Sequence, residues 1–375
     1  MPIKRNARTA FNFFNAFIPA HTVDFLASNE VKARLDITSQ FLKAYPVKDV
    51  GFEFVVFPKK LEPADIATQA SNYAYVKQQL ESKFGVKVHA SMHFPTRNDM
   101  DFFLGSDETS TRQRVMSMFD RCLDLALRTG IRTIVVHSGG NITMREWERM
   151  RDGYPKKQRQ LHAIAERLRD MLQACATRGY IGKLAWENVP WPFDVPAFTF
   201  TNVVKHDFAV VLSDLQSMAI KNRDQLGICI DLCHSWIISQ VAKKYASMAI
   251  VPPGIYPEER DDFLALVDIN NFIEAFAGRY THVHLADSAG EFASPDGTTV
   301  LSQPTEGDEL GTGDFSRSPA FAQSLQAIGS HLPAGEKLLC TLEVKDADFS
   351  NPEKALRSLL FLGAKFFSKK GTSDQ

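Results

Sequence analysis

Eight short apolar runs alternate with longer segments of helical period along the chain. The strand-like runs are rich in β-branched and aromatic residues and lie near 10–18, 51–57, 86–92, 131–137, 183–188, 226–231, 279–285 and 337–343. Between them, segments such as 107–129 and 157–178 carry a helical apolar stripe and are each followed by a glycine, which is typical of an amphipathic helix and its C-terminal cap. A regular alternation of this kind predicts parallel strands joined by helices.

The number of alternations indicates the architecture. Eight strand–helix units in 375 residues, with no Ser/Gly-rich linker, predict an α/β fold in which residues 1–375 form a single (β/α)8 TIM barrel. A doubly wound open sheet is the alternative, and periodicity alone does not separate the two. In a barrel, the loops after the strand C-termini build the active face. These loops are long at 138–156, 189–206 and 286–316, and a proline-rich insertion occupies 247–266.

Composition excludes several classes of protein. With 43 basic and 44 acidic residues the chain has no global basic field that would gather nucleic acid. No run approaches the roughly 18 apolar residues needed to cross a bilayer, so no membrane partner is expected. Five cysteines in apolar surroundings are not a disulfide framework and favour a reducing, cytoplasmic location. The N-terminal segment faintly resembles a signal peptide, but asparagines interrupt its apolar stretch and it is better interpreted as the first strand.

Side chains that can bind a metal stand at the ends of six consecutive predicted strands, from the third to the eighth. They are His89, His137, Glu187, Asp231, His284 and Glu343, and His234 follows three residues after Asp231. One rim of a barrel would gather them into a single cup, where carboxylates and imidazoles crowd together at a high cost unless a cation neutralises them. Mixed nitrogen and oxygen ligands suit zinc, manganese or iron better than magnesium or calcium.

Two histidines compete with members of this set. His93 is the alternative to His89 on the third strand, and His89 is preferred because it directly follows the β run VKV, whereas His93 falls in the predicted loop. His282 precedes His284 by two residues on the same strand face and is interpreted as a hydrogen-bonded core residue. Any one of these histidines alone is more often structural than functional, so the argument depends on the pattern shared by all six strand ends.

The segments around these residues resemble the endonuclease IV family of abasic-site endonucleases, within the xylose isomerase-like TIM-barrel superfamily. The motifs that carry the resemblance follow the family's order over roughly 80–345 and read VHAS, VVHSGG, WEN, GICIDLCHSW, HLADS, LGTG and LE. The resemblance implies a trinuclear zinc site in which Glu187 bridges two metals. It implies that the first metal is bound by His89, His137 and Glu187, the second by Glu187, Asp231, His284 and Glu343, and the third by His234 with further ligands.

The chain departs from that family where the third metal would bind. The family carries an Asp-x-His pair before this segment, whereas the chain reads PTEGDELGTG, so Glu306 and Asp308 are the candidates for third-metal ligands. The opening strand and the loop after His89 also lack the family's usual sequences for gripping DNA. These departures affect the third metal and the substrate contacts more than the first two metals.

The favoured function is a metal-dependent hydrolase of phosphate esters, with damaged DNA at abasic sites as a candidate substrate and two or three divalent ions, zinc first, as cofactors. Glu187 would bridge the metals, Glu343 would orient the nucleophile, and His234 would ligate a third metal or stabilise the leaving oxygen. Loop arginines would grip phosphate or simply form a solvated surface with their acidic neighbours. These arginines are Arg97, Arg145, Arg149 and Arg151.

The same residues are compatible with three other functions. A sugar isomerase or epimerase would use one divalent ion, with Glu187 and Glu343 moving a proton next to a polarised carbonyl. A non-hydrolytic iron enzyme would use the same cup, and a binding module would use none of its chemistry. Histidines on both the third and fourth strands favour the hydrolase, because a single-metal isomerase does not need both as ligands.

Overall fold

Eight parallel strands form a closed barrel in which each strand pairs with its neighbour in chain order and β8 pairs with β1. The computed structural model describes residues 11–95, 103–138, 153–190, 201–220, 222–248, 251–252, 255–290, 306–345 and 352–367. The strands are β1 Phe17–Val23, β2 Asp49–Val55, β3 Lys87–His93, β4 Thr133–Val136, β5 Lys183–Glu187, β6 Leu226–Asp231, β7 Tyr280–Leu285 and β8 Leu338–Leu342. The predicted (β/α)8 barrel is confirmed, and the open sheet is excluded.

Helices surround the barrel and bury their apolar stripes against it. They are α1 Phe13–Ala16, α2 Ser28–Ala44, α3 Pro63–Phe84, α4 Thr109–Thr129, α5 Gly153–Arg178, α6 Lys205–Ser217, α7 Leu232–Tyr245, α8 Arg260–Ala265, α9 Asn270–Ala275, α10 Pro319–Ser330 and α11 Pro352–Phe366, with 3₁₀ turns at Pro58–Lys60, Arg223–Gln225 and Pro257–Glu259. The two helices expected from their stripes are present as α4 and α5. Gly130 ends α4 with a φ of 70°, a backbone conformation that other residues adopt at a cost.

The first strand lies later in the chain than its sequence suggests. The apolar stretch 10–18 was expected to be β1, but its centre forms the short helix α1, and β1 is Phe17–Val23. Asn12 caps this helix by accepting a hydrogen bond from the Phe14 amide at 3.1 Å. Phe13 is buried and stacks on Phe366 of α11 with 5.6 Å between ring centroids. The phenylalanines thus fill space between the barrel and its helices, which periodicity over so few residues does not distinguish from a strand.

The barrel interior changes from apolar to polar along the strands. Near the strand N-termini, Ile18, Ala20 and Leu339 pack together, and Gly51 leaves room for them, since a Cβ there would lie 2.3 Å from Leu339 Cδ2 and force that side chain to shift. Towards the strand C-termini the inward positions carry charged and polar residues instead, among them Glu53, which has no exposed surface. The interior therefore supports a polar site at one end of the barrel, the end where barrel active sites lie.

The remaining fold-level expectations concern membranes and cysteines. Within the described ranges, no helix has the length and apolar character needed to span a bilayer. All five cysteines are buried and free, in agreement with the expected absence of a disulfide framework. Burial raises the pKa of Cys175 to about 12, so this thiol stays protonated and acts as a small apolar side chain. The four loop arginines considered for phosphate binding lie outside the described residues.

Candidate metal centre

Six side chains from strands β3 to β8 converge at the C-terminal end of the barrel. Their potential ligand atoms form two groups, within each of which all atoms lie within 4.8 Å of one another. The first group is His93, His137 and Glu187, and the second is Glu187, Asp231, His284 and Glu343. Glu187 belongs to both groups. Five of the six predicted strand-end residues therefore lie together as expected, while their binding of a metal stays a prediction.

The third strand supplies His93 and not His89, so the choice between these two histidines was wrong. His89 is the third residue of β3, and its Nε2 lies 2.9 Å from the carboxylate of Asp49, the first residue of β2. His93 is the last residue of β3, four positions and about 13 Å further along the strand. The two histidines point to the same side of the strand, but only His93 reaches the rim.

Glu187 presents its two carboxylate oxygens to different neighbours. Its Oε2 lies 3.0 Å from His137 Nε2 and 3.4 Å from His93 Nε2. Its Oε1 lies 2.8 Å from His284 Nδ1. Burial alone would raise the pKa of this fully buried carboxyl group, but the imidazoles of His284 and His137 outweigh burial and hold its pKa well below the ordinary value. An ionised carboxylate in this position can serve one cation with each oxygen.

The polar atoms around Glu187 Oε2 are suited to bind a divalent cation. Glu187 Oε2 and His137 Nε2 are both buried, and neither makes a well-directed hydrogen bond to a described residue. Leaving two such atoms unsatisfied costs free energy, and a cation bound between them would remove the cost. Imidazole nitrogens and carboxylate oxygens together suit zinc, manganese or iron. The residues present thus match the kind of cofactor expected from the sequence.

Hydrogen bonds to backbone carbonyls orient His93 in the cup and His234 beside it. His93 Nδ1 lies 2.8 Å from the carbonyl oxygen of Phe94, and His234 Nδ1 lies 2.8 Å from the carbonyl oxygen of Asn188. Because a carbonyl oxygen only accepts, each Nδ1 must carry the proton. His93 Nε2 is therefore the ring atom that faces Glu187, an arrangement that prepares a histidine to bind a metal, whereas His234 Nε2 faces Glu306.

The junction of β6 and α7 brings Asp231 and His234 to one place. Asp231 ends the strand and caps the helix, accepting a hydrogen bond from the His234 amide at 2.7 Å. Burial raises the pKa of Asp231 to about 6, with His234 opposing the shift. Burial by itself would lower the pKa of His234, but the carboxylates of Asp231 and Glu306 raise it to about 10. This local geometry explains the spacing of the Asp-x-x-His motif.

The two candidates for third-metal ligands lie in different surroundings. Glu306 Oε1 lies 3.1 Å from His234 Nε2 and also accepts a hydrogen bond from the ammonium group of Lys345. Burial opposes ionisation of Glu306, yet Lys345 and His234 hold its pKa well below the ordinary value. Asp308 pairs with Asp287 through two backbone hydrogen bonds of 2.8 and 3.0 Å, and among the described residues its carboxylate joins neither ligand group. Glu306 thus meets His234 as expected, with a lysine beside it.

The HLADS and LGTG motifs build a loop next to the cup. Asp287 has no exposed surface and accepts hydrogen bonds from the amides of Gly311, Gly313 and Ser316 at 2.9–3.0 Å. These bonds fold the segment 306–316 against the end of β7. The two motifs therefore position the segment that carries Glu306.

Sequence reasoning missed Glu53, which lies directly below the cup. Its carboxylate lies 3.1 Å from His284 Nε2 and 3.0 Å from His282 Nε2. His282 also bonds Thr341 at 3.0 Å and has no exposed surface, so its interpretation as a hydrogen-bonded core residue is confirmed. A charged residue within the apolar run VGFEFVVF was the available signal, because an ionisable group in the middle of a buried strand needs a partner.

A model of the xylose isomerase-like TIM barrel family matches residues 45–364 of the chain. The chain belongs to this family. No protein with a curated description matches it significantly in sequence.

Among solved structures, L-ribulose 3-epimerase is 17% identical over 94% of each chain, with a TM-score of 0.53. D-psicose 3-epimerase from Clostridium cellulolyticum is 9% identical over 93% of this chain and 99% of its own, also at 0.53. Endonuclease IV from Thermus thermophilus is 14% identical over 92% and 99%, at 0.45.

These comparisons confirm the superfamily that the sequence motifs indicated. At such low identities the likeness to solved structures is a likeness of fold alone. The solved neighbours carry the names of sugar epimerases and of endonuclease IV, which are different kinds of enzyme. The reaction of this member therefore has to be argued from its own side chains.

Proposed function

We propose that this member of the xylose isomerase-like family is a phosphoesterase with a dinuclear metal centre. The observation that supports the proposal is the position of Glu187, whose two oxygens face separate ligand groups. His93 and His137 approach Oε2, whereas His284 approaches Oε1. Single-metal chemistry at the second group would leave His93 and His137 without a use, while two-metal hydrolysis of a phosphate ester uses both groups.

Each residue of the cup would have a separate role in hydrolysis. Bound divalent ions, zinc first and manganese or iron next, would supply Lewis acidity and a water molecule of lowered pKa. Glu187 would hold the two ligand groups at a fixed separation. Glu343, whose side chain is 15% exposed at the rim, would orient the attacking water and hold its proton. His234 would direct Nε2 at the leaving oxygen. The substrate is a phosphate ester, and an abasic site in DNA is the first to test.

A sugar epimerase is the second candidate, and two observations favour it. The group of Glu187, Asp231, His284 and Glu343 contains four ligands and is complete for one ion by itself. The ammonium group of Lys345 already neutralises Glu306 beside His234, where a further cation would otherwise bind. In this case Glu187 and Glu343 would remove and return a proton on opposite sides of a carbon next to a carbonyl.

One set of measurements separates the two candidates. Metal-free protein is loaded with zinc or manganese, its metal content is determined, and it is assayed on an abasic-site duplex and on bis(p-nitrophenyl) phosphate. The phosphoesterase requires about two ions per chain and chelator-sensitive cleavage. Incubation with L-ribulose in heavy water tests the epimerase, which would incorporate deuterium at the epimerised carbon with one ion per chain. Deuterium incorporation without cleavage would replace the first proposal by the second.

We also infer a reducing, cytoplasmic setting for the enzyme. The support is chemical, since five buried cysteines without a disulfide suit a compartment in which thiols stay reduced. A fluorescent fusion in the source cell tests the location, and export of the fusion would contradict it.

A further inference from the structure

Glu53 lies inside the barrel, below the cup, and its polar contacts include one residue of the cup, His284. It is the fifth residue of β2 and has no exposed surface. Its Oε2 accepts a hydrogen bond from Ser91 Oγ at 2.9 Å and lies 3.0 Å from His282 Nε2. His284 Nε2 lies between the two carboxylate oxygens, 3.1 Å from Oε1 and 3.3 Å from Oε2. Glu53 therefore contacts a residue of the cup without reaching the cup itself.

His284 joins two carboxylates through its two ring nitrogens. Nε2 faces Glu53, while Nδ1 faces Glu187 Oε1 at 2.8 Å and Glu343 Oε2 at 3.6 Å. Only one nitrogen of a neutral imidazole carries a proton, and the other offers the lone pair that binds a metal. With its proton on Nε2 and directed at Glu53, the ring would present the lone pair of Nδ1 to a metal.

We propose that Glu53 is a positioning residue that fixes the orientation and tautomer of His284 for metal binding at Nδ1. Histidine ligands of metals generally donate their second N–H to a carboxylate or carbonyl, and losing that partner lowers metal affinity roughly 10- to 100-fold. Glu53 matches this role by geometry, since it approaches the ring from the side opposite the cup. The phosphoesterase proposal assigns Glu53 no role, and the inference holds for either candidate reaction.

A purely structural ion pair is the competing explanation, and Ser91 provides a matched control. Ser91 is buried on the neighbouring strand and donates to the same carboxylate. It is not among the described contacts of His284. The variant Glu53→Gln keeps the shape of the side chain and removes its charge, whereas Ser91→Ala removes one hydrogen bond to Glu53 and leaves its charge. The full chain is used for both variants, stripped of metal by chelator and checked for folding by circular dichroism.

The measurement is the dissociation constant for Zn²⁺ by competition with a chromophoric chelator, together with the d–d spectrum of the Co²⁺-loaded protein. Glu53→Gln is expected to bind the His284 metal 10- to 100-fold more weakly, with unchanged stoichiometry and an altered Co²⁺ spectrum. Ser91→Ala is expected to stay within about threefold of wild type. Equal affinities in Glu53→Gln and wild type would overturn the proposal. Loss of a whole ion per chain would also overturn it, because Glu53 would then itself be a ligand.

A measurement on the wild-type chain keeps the proposal testable if Glu53→Gln does not fold. Histidine labelled with ¹⁵N and loading with ¹¹³Cd²⁺ reveal which ring nitrogen of His284 bonds the metal. Coupling between ¹¹³Cd and Nδ1, with the proton on Nε2, is the expected result. Coupling to Nε2, or a proton on Nδ1, would refute the assignment.

Discussion

The inward residues of strand β3 lie at different depths in the barrel and therefore have different partners. His89, Ser91 and His93 point into the barrel, while Ala90 and Met92 between them are buried against the outer helices. The inward residues bond in turn to the start of β2, to Glu53 and to Glu187. One strand thus contributes a residue beside Asp49, a residue beside Glu53 and a residue of the cup. Only its last inward residue can bind a metal in the cup.

This placement predicts opposite results for two histidine variants. His93→Asn removes one of three ligands from the first group and should lower metal content after dialysis by about one ion per chain. His89→Asn removes a partly exposed pair with Asp49, which is worth about 1 kcal/mol or less, and should retain the wild-type metal content. Metal analysis of the two dialysed variants gives the answer. Metal lost from the His89 variant but kept by the His93 variant would show that the wrong histidine is assigned to the cup.

Glu187→Gln tests the residue shared by both ligand groups. The amide keeps the shape of the side chain but cannot supply two anionic oxygens, so turnover should fall to the background rate while the chain still folds. Activity and circular dichroism are measured on the same sample, with Glu336→Gln, an exposed glutamate, as control. Turnover that survives in Glu187→Gln would refute the bridging role for either candidate reaction.

At the scale of single residues, most of the cup could be predicted from the sequence, and two residues could not. Glu187 and Asp231 were predictable because each ends an apolar strand with a charge. His93 was missed because its strand was predicted to end at 92, although the inward alternation His–Ser–His continues to 93. Glu53 was missed because a charge inside an apolar run shows only that a partner is needed, while the histidines that Glu53 contacts lie more than 200 residues away.

At the scale of elements, the described part of the insertion 247–266 acts as a brace for two neighbouring helices. Its 3₁₀ turn Pro257–Glu259 places Glu259 against Lys157 of α5, with Nζ and Oε1 2.5 Å apart. Lys157 also contacts Asp207 in the first turn of α6 at 2.8 Å, and all three side chains are buried. Burial alone would lower the pKa of Lys157, but the two carboxylates outweigh it and raise the pKa above its ordinary value. The ammonium group therefore links three elements as a permanent cation.

The variant Lys157→Met should destabilise the protein by about 3–5 kcal/mol, because it leaves two buried carboxylates without their cation. Urea unfolding at neutral pH measures the change. The matched control is Lys156→Met, which alters the neighbouring, less buried lysine of the same helix and should cost under about 1 kcal/mol. Equal stabilities of the two variants would mean that the brace contributes nothing. Metal content should be the same in both, since the brace lies outside both ligand groups.

At the scale of the whole molecule, closure of the barrel makes distant strand ends neighbours. His93 and His284 lie on strands that are not adjacent in the sheet, yet their rings stack with 5.9 Å between centroids. The sequence could predict this convergence because eight alternations indicate a closed barrel and every strand ends at the same rim. It could not predict the side-chain pairing within the rim, since the choice between a metal ligand and a supporting residue depends on register between strands.

Crowding of acidic and imidazole groups at the rim predicts that metal stabilises the whole fold. A ligand that binds only the folded state at 100 times its dissociation constant adds about 2.7 kcal/mol to the free energy of unfolding. With an unfolding entropy of roughly 2.1 cal/mol/K per residue, this raises the Tm of a 375-residue chain by about 3 °C. Scanning calorimetry of metal-free protein with and without excess Zn²⁺ should detect the increase, and chelator should reverse it. Glu187→Gln should show a smaller increase, because the variant loses a ligand from both groups. An equal increase in that variant would place the stabilising ion elsewhere on the protein and would remove the basis for a metal centre at this rim.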